Sequence, residues 1–168
     1  MAEFLAVTGG LAAVIQLATS GRRFAKILYR FAVDAGAAAA EVERFANQVR
    51  TFSDTVEVAE QTLSRYCRDN PASPLVVFMD RRKVLANIDS EATTVRTHLR
   101  AVRDQVIGMK SRSILWASIK WSWKKSSILE LSPEMESVKT SLSLLMVTAQ
   151  FEAMVRSGND NDRLKKTM

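Results

Sequence analysis

Residues that could build a metal site or a disulfide are nearly absent from this chain. Its 168 residues include one cysteine, Cys67, and one histidine, His98. A single cysteine cannot form a disulfide within the chain and fits a reducing compartment, and the two residues are too few for a zinc cluster. The carboxylates are spread along the sequence and are not paired for acid–base work. The sequence therefore predicts no enzyme, no catalytic residue, no cofactor and no metal. We expect His98 at the surface and Cys67 half-buried and unreactive.

Residues that interrupt helices are also scarce, because the chain has only three prolines and six glycines. Their scarcity favours long helices. Hydrophobic residues make up 47% and charged residues 25%, as in a globular protein, and the length suits one domain. The net charge of +6 favours an anionic partner, and both anionic lipid and nucleic acid meet that condition.

Apolar residues recur at alternating steps of three and four along three segments. Each set then lies on one helical stripe suited to packing against neighbouring helices. The stripes are Val42, Phe45, Val49, Phe52, Val56, Ala59, Leu63 and Tyr66; Leu85, Ile88, Ala92, Val95, Leu99, Val102, Val106 and Met109; and Leu131, Met135, Val138, Leu142, Leu145 and Ala149. The spacing predicts an all-α helical bundle of four to five helices, over residues 3–33 with a kink at Gly21, 37–69, 80–109, 112–126 and 132–157.

Residues typical of loops and helix caps indicate the same division of the chain into helices. Residues 70–74 predict a loop, because each of two prolines disfavours helix at the residue before it. Ser132 and Pro133 are typical of a helix start, and Gly158 with Asn159 predicts the end of the last helix. We therefore predict a bundle over residues 1–157 and a polar tail or linker over residues 158–168. Residues 75–79 are the one strand-like run, short enough to be a loop or to start a helix.

The N-terminal segment, residues 4–20, carries no charge, and four cations follow it before the next acid, Asp34. Seventeen helical residues span about 25 Å, against roughly 30 Å for the hydrocarbon core of a bilayer. The strong apolar residues favour insertion by roughly 3 kcal/mol, and the glycines and polar residues oppose it. The sequence thus predicts conditional membrane insertion, although the same segment also suits a buried helix of a bundle. The inserting residues are Phe4, Leu5, Val7, Leu11, Val14, Ile15 and Leu17, and the cations expected at the lipid headgroups are Arg22, Arg23, Lys26 and Arg30.

Residues 110–125 hold all three tryptophans together with five cations and no acid. Tryptophan and lysine together suit a lipid headgroup interface, where the ring lies at the boundary and the cations meet phosphate. The residues assigned to that interface are Lys120, Trp121, Trp123, Lys124 and Lys125. Stacking on nucleic-acid bases uses the same chemistry. A short amphipathic helix that packs its tryptophans on the bundle is the third interpretation, and it is favoured for Trp116.

The order of these segments resembles the HeLo-like domains of fungal proteins, including N-terminal domains of fungal NOD-like (STAND) receptors. The resemblance rests on the opening MAEFLAVTGGLAAVIQLATSGRRFAKILYRF and on the late block IKWSWKKSSILELSPEMESVKTSLSLLMVTAQF. In such domains a helix with tryptophan and lysine precedes a final helix with a Glu…Lys…SLSL-type run, which here is Glu136, Lys139 and residues 141–144. The general plan covers residues 1–157, and residues 37–109 match only by helical pattern.

The resemblance implies a cell-death execution domain that binds and permeabilises membranes. Its partners would be anionic membrane lipid and further copies of itself. Activation by oligomerisation would come from an amyloid-forming segment or a nucleotide-binding region, in the same protein or in a partner. The protein would be cytoplasmic at rest and at the plasma membrane on activation, with residues 4–17 leaving the bundle to insert.

Two other classes of function compete with this one. A non-lytic interaction module would dock helix to helix with a partner protein, as an adaptor or scaffold of a fungal NOD-like receptor, and would not touch lipid. A nucleic-acid binder is favoured only by the charge of +6 and by the tryptophan–lysine segment. Because acids are distributed through the middle helices and no nucleic-acid motif is present, the sequence argues against it.

Overall fold

The computed structural model describes residues 11–109 and 114–166, with side chains described over 11–109 and 117–157. In these segments the regular elements are six α-helices and one 3-10 turn. They are α1 (Ala12–Asp34), the 3-10 turn (Gly36–Ala38), α2 (Ala39–Asp69), α3 (Pro74–Arg81), α4 (Val84–Met109), α5 (Ile114–Leu129) and α6 (Leu131–Lys166). The prediction of an all-α bundle is confirmed.

The four long helices form a square bundle. α1 packs against α2 and α4, and α6 packs against the same two helices, so that α1 and α6 occupy diagonal corners. The backbone N–H of Ala13 donates to Asp89, so the first turns of α1 and α4 lie at one end of the bundle. The short helix α3 packs on α4 and α6 at that end, where Leu75 meets Glu152. The other short helix, α5, packs on the 3-10 turn at the opposite end.

The core consists of the predicted stripes together with the inner side of α1. Every residue of the three stripes is buried, from Val42 at the start of the first to Ala149 at the end of the third. Helix α1 contributes five more large side chains, Val14, Leu17, Phe24, Leu28 and Phe31, each fully buried. The repeat of apolar residues at steps of three and four therefore correctly predicted these core residues of α2, α4 and α6.

Two helix boundaries differ from the prediction in the middle of the chain. The strand-like run is a helix because Ser73 accepts a hydrogen bond at its Oγ from the N–H of Val76, 3.0 Å away, and Pro74 occupies the first turn. That helix ends at Arg81, and the φ of 51° at Lys83 interrupts helical geometry before the next helix. The helix predicted from residue 80 therefore begins at Val84, and α3 is an additional short helix in front of it.

The last helix does not end at Gly158 as predicted, because the backbone of α6 stays helical to Lys166. A glycine inside a helix costs only about 1 kcal/mol relative to alanine, and no proline follows to prevent the helix from continuing. The predicted polar tail thus starts as a continuation of α6.

Gly21 sets the distance between α1 and α2. Helix α1 runs through Gly21 without interruption, and the glycine is buried. A Cβ atom at this position would lie 2.1 Å from Oγ of Ser53, which itself donates to the carbonyl of Val49 at 2.7 Å. The absence of a side chain at Gly21 therefore allows the two helices to approach closely, with the Ser53 hydroxyl directed to its own helix.

We expect Gly21→Ala to lower the free energy of unfolding by about 1–3 kcal/mol, because Ser53 must give up its hydrogen bond or the helices must separate. Adding Ser53→Ala should recover most of that loss, since the Cβ of Ser53 is 3.4 Å from the new methyl group. The matched control is Gly108→Ala in α4, where nothing lies within 4 Å and stability should rise by about 0.5–1 kcal/mol. Urea unfolding of the unmodified chain and of the three variants measures each change in the free energy of unfolding. Equal effects of the two glycine substitutions would contradict the close-packing role of Gly21.

Candidate functional site

The first turns of α1 contain the described part of the predicted insertion segment. Phe4, Leu5 and Val7 lie outside the described residues. Of the others, Leu11, Val14 and Leu17 are fully buried against α2 and α4, and Ile15 is 49% exposed. Helix α1 thus begins as a core helix, which is the resting position that conditional insertion requires.

A carboxylate on another helix caps the start of α1 by accepting a hydrogen bond. The N–H of Ala13 is one of the first-turn donors that a helix cannot satisfy internally, and it donates to Oδ1 of Asp89 at 2.9 Å. A carboxylate at this end also interacts favourably with the helix dipole. Sequence analysis missed this contact because Asp89 lies 76 residues away and has no local signature.

Arg22, predicted to lie at lipid headgroups, is ion-paired in the fold. Its guanidinium donates to Asp54 at 3.0 Å and also pairs with Glu57, both on α2. All three side chains are partly exposed, so the pairs contribute little to stability. They nevertheless fix the position of α1 immediately after Gly21.

The other predicted cations of α1 form an exposed row, which we call the basic face: Arg23, Lys26 and Arg30. Their spacing of three and four places them on one side of the helix, and all three are exposed. No carboxylate among the described residues lies within 4 Å of any of these three side chains. The basic face is thus a concentration of uncompensated positive charge on the outer side of α1.

Trp121 and Lys125, both predicted to lie at lipid headgroups, take part in contacts within the fold. Trp121 is 1% exposed, its ring centroid lies 6.1 Å from that of Phe31, and its indole N–H donates to Glu41 at 3.1 Å. Lys125 pairs with the same carboxylate. These contacts attach α5 to the last turns of α1 and the first turn of α2.

The remaining assigned residues of α5 keep some exposure. Trp123 is 75% exposed, Lys124 is exposed and Lys120 is half-buried. Trp116 lies outside the residues whose side chains are described. About 25 Å of helix separates Val14 from Phe31, so the insertion segment and α5 lie at opposite ends of α1. The two segments that the sequence assigned to one membrane surface are therefore not brought together.

Helix α6 carries an exposed row that sequence analysis overlooked, which we call the apolar stripe. It consists of Leu144, Val147, Phe151, Met154 and Val155, which are 47–70% exposed. The signal was available, because these residues repeat in steps of three and four beside the predicted core residues of the same helix.

The two residues that the sequence offers for reactive or metal chemistry, His98 and Cys67, have the following environments in the fold. His98 is exposed, and its Nδ1 lies 2.7 Å from Oε2 of Glu134. Cys67 is fully buried, deeper than predicted, and its burial raises the pKa of the thiol. Among the described residues, no group of three or more His, Cys, Asp and Glu side chains could hold a metal ion.

Comparisons with known proteins identify no relative: no family model, no curated protein and no solved structure matches the chain. None of the helices in the described segments combines the length and the apolar character needed to cross a membrane.

The contacts of Glu41 predict how the attachment of α5 depends on pH. Hydrogen bonds from Lys125 and then from Trp121 lower the pKa of Glu41 below its ordinary value of 4.5. The stabilisation from the carboxylate is therefore present above pH 4.5 and is lost as the pH falls through the lowered pKa of the folded state.

We therefore expect Glu41→Gln to be less stable than the unmodified chain at neutral pH, with a difference that shrinks as the pH falls below about 4.5. Thermal unfolding midpoints measured from pH 7 to pH 3 test this expectation. Glu43→Gln, which removes an exposed carboxylate two residues away, is the control and should change little. A difference for Glu41→Gln that grew on acidification would contradict the assignment.

Proposed function

We propose that this chain is a membrane-permeabilising helical bundle, in which the N-terminal part of α1 leaves the bundle and enters an anionic membrane. The observation that supports this most directly is the basic face on α1, which follows the uncharged residues 4–20 in the sequence. Together with the resemblance to HeLo-like domains, it supports a role in executing cell death after self-association, with the protein cytoplasmic at rest and at the plasma membrane on activation.

The contacts of α1 suggest where it would divide. On the N-terminal side of Gly21, Leu11, Val14 and Leu17 are buried, and exposing them to water would cost roughly 5–9 kcal/mol. Lipid hydrocarbon would restore most of that amount, because it is also apolar. On the other side, the buried side chains of Phe24, Leu28 and Phe31 hold the helix to the bundle. Detachment at Gly21, the residue with the lowest helix propensity in α1, would leave these contacts in place.

The basic face would hold the bundle at the membrane while the N-terminal part inserts. Each cation near an anionic surface contributes about 1 kcal/mol, and this contribution falls within a Debye length. Three cations on one side of a fixed helix would add to one another, because none must first leave a carboxylate partner among the described residues.

Neutralising the basic face should weaken binding to vesicles of phosphatidylserine and phosphatidylcholine by about 100-fold at low salt. The test chain carries Arg23→Gln, Lys26→Gln and Arg30→Gln. The matched control carries Arg65→Gln, Arg81→Gln and Arg100→Gln, which remove the same charge from exposed sites on α2, α3 and α4. Co-sedimentation measures both chains, and high salt should remove most of the difference. Equal losses in the two chains would show that only net charge matters and would contradict a role of this surface.

A tether between α1 and α4 should abolish dye release from these vesicles, because it keeps the N-terminal part in the bundle. Ala13→Cys and Asp89→Cys in a Cys67→Ala chain allow a short reducible thiol cross-linker to join the two helices where they touch. Reduction should restore release in the same sample. Release that persisted in the tethered chain would contradict insertion of this segment.

The control tether joins the second half of α1 to α2 through Tyr29→Cys and Asn47→Cys, at a pair of side chains in hydrogen-bond contact. Dye release should survive this tether, because it lies beyond Gly21. Loss of release in both tethered chains would contradict the division of α1 at Gly21. Absence of any vesicle binding by the unmodified chain would instead favour the non-lytic interaction module.

A further inference from the structure

We propose that the apolar stripe of α6 is the surface on which a second copy of this chain docks, α6 against α6. This inference specifies the self-association that the proposed function includes. It can be tested without lipid, so its failure and the failure of membrane binding are distinguishable.

The geometry of the stripe is that of a helix-pairing face. Leu144, Val147, Phe151 and Met154 follow steps of three, four and three, and Val155 lies beside them. At 100° per residue, the five side chains occupy an arc of about 100°. The buried residues Leu142, Leu145 and Ala149 face α2 and α4 on the other side of the same helix. Helix α6 thus has one apolar side in the bundle and a second apolar side without a partner among the described residues.

The area of the stripe reaches the lower bound of what a specific dimer needs. With five side chains 47–70% exposed, the stripe leaves roughly 500–600 Å² of apolar surface, at the upper end of what a monomer exposes. Two stripes in contact would bury roughly 1,000–1,200 Å², which reaches the lower bound of specific interfaces. The flanking side chains would add to this area.

The charges around the stripe select a second copy over an anionic surface. Beside it on the helix lie the uncharged residues Ser143, Thr148, Gln150 and Ser157. The hydroxyl of Thr148 donates to the carbonyl of Leu144 at 2.8 Å, which leaves the methyl group free to pack. Two chains of net charge +6 could meet along this uncharged strip without placing like charges opposite each other.

The nearest charged side chains on α6 already have partners away from the stripe. Arg156 donates to Glu152 at 2.6 Å and to Asn70 at 3.2 Å, and Glu152 accepts from the N–H of Leu75. Both side chains therefore face α3 and the loop after α2, and not the stripe. A pair of stripes related by a two-fold axis would be self-complementary, as an isologous interface requires.

The diagonal position of α6 keeps this surface separate from α1. Because α1 occupies the opposite corner of the bundle, pairing through α6 leaves the basic face and the start of α1 uncovered in both copies. Docking of a second copy would therefore not compete with lipid binding.

Sedimentation equilibrium of the full chain in buffer without lipid tests the proposal. We expect a monomer–dimer equilibrium that is insensitive to salt, since the contact is apolar. Phe151→Glu should weaken dimerisation by about 30-fold or more, as expected for a central aromatic contact. The matched control is Val58→Glu, which places the same charge on a similarly exposed apolar site of α2 and should leave dimerisation unchanged. Far-ultraviolet circular dichroism checks that both variants remain helical.

Single-cysteine cross-linking in a Cys67→Ala chain gives an independent measurement. Val147→Cys or Phe151→Cys should form a disulfide-linked dimer rapidly, and Val58→Cys should not. Three results would overturn the proposal: a chain that stays monomeric at all concentrations, a dimer that Phe151→Glu does not weaken, and a stripe that binds only phosphatidylcholine vesicles. The last result would assign the surface to lipid.

Discussion

The close approach of α1 to α2 at Gly21 and Ser53 determines how the rest of α1 can behave. Without a side chain at Gly21, the helices meet directly, and Arg22 immediately reaches its partners on α2. The residues after this point lie deep in the bundle, up to Phe31 against Trp121. The residues before it depend on apolar contacts and on one hydrogen bond, which the N–H of Ala13 donates to Asp89. Gly21 therefore separates a half of α1 that has ion pairs and aromatic contacts in addition to burial from a half held mainly by burial.

That difference matters because burial, unlike an ion pair or a specific hydrogen bond, can be replaced by another apolar environment. The side chains of Leu11, Val14 and Leu17 gain roughly 1.5–3 kcal/mol each when they leave water, whether they enter a protein core or a hydrocarbon. The free energy of transfer between those two environments is small. Under the proposed function, attraction of the basic face to anionic headgroups would be the modest additional term that shifts the equilibrium.

The sequence predicted the fold better than it predicted the candidate site, for a physical reason. Core residues such as Val49 and Leu99 repeat along one helix, so their burial follows from local spacing. The side-chain contacts of Arg22 and Trp121 are made with partners far away in sequence, Asp54 and Glu41 respectively. No periodicity of the sequence reveals such partners. Composition distinguished the tryptophans and lysines of α5 and left open whether Trp121 packs on the bundle, and the burial of Trp121 against Phe31 answers that question. The apolar stripe was detectable and was overlooked because one apolar series in α6 already explained the core.

If the proposed membrane activity and the proposed pairing through α6 both operate, the diagonal placement of α1 and α6 has a genetic consequence. A chain altered only on the basic face would still pair through α6, and each mixed pair would contain one inactive copy. Such an allele would interfere with the unaltered protein and behave as dominant. A chain altered only on the apolar stripe would be left out of the pairs, so its allele would be recessive. Loss of the same activity would thus be inherited as a dominant trait when the basic face is altered and as a recessive trait when the apolar stripe is altered.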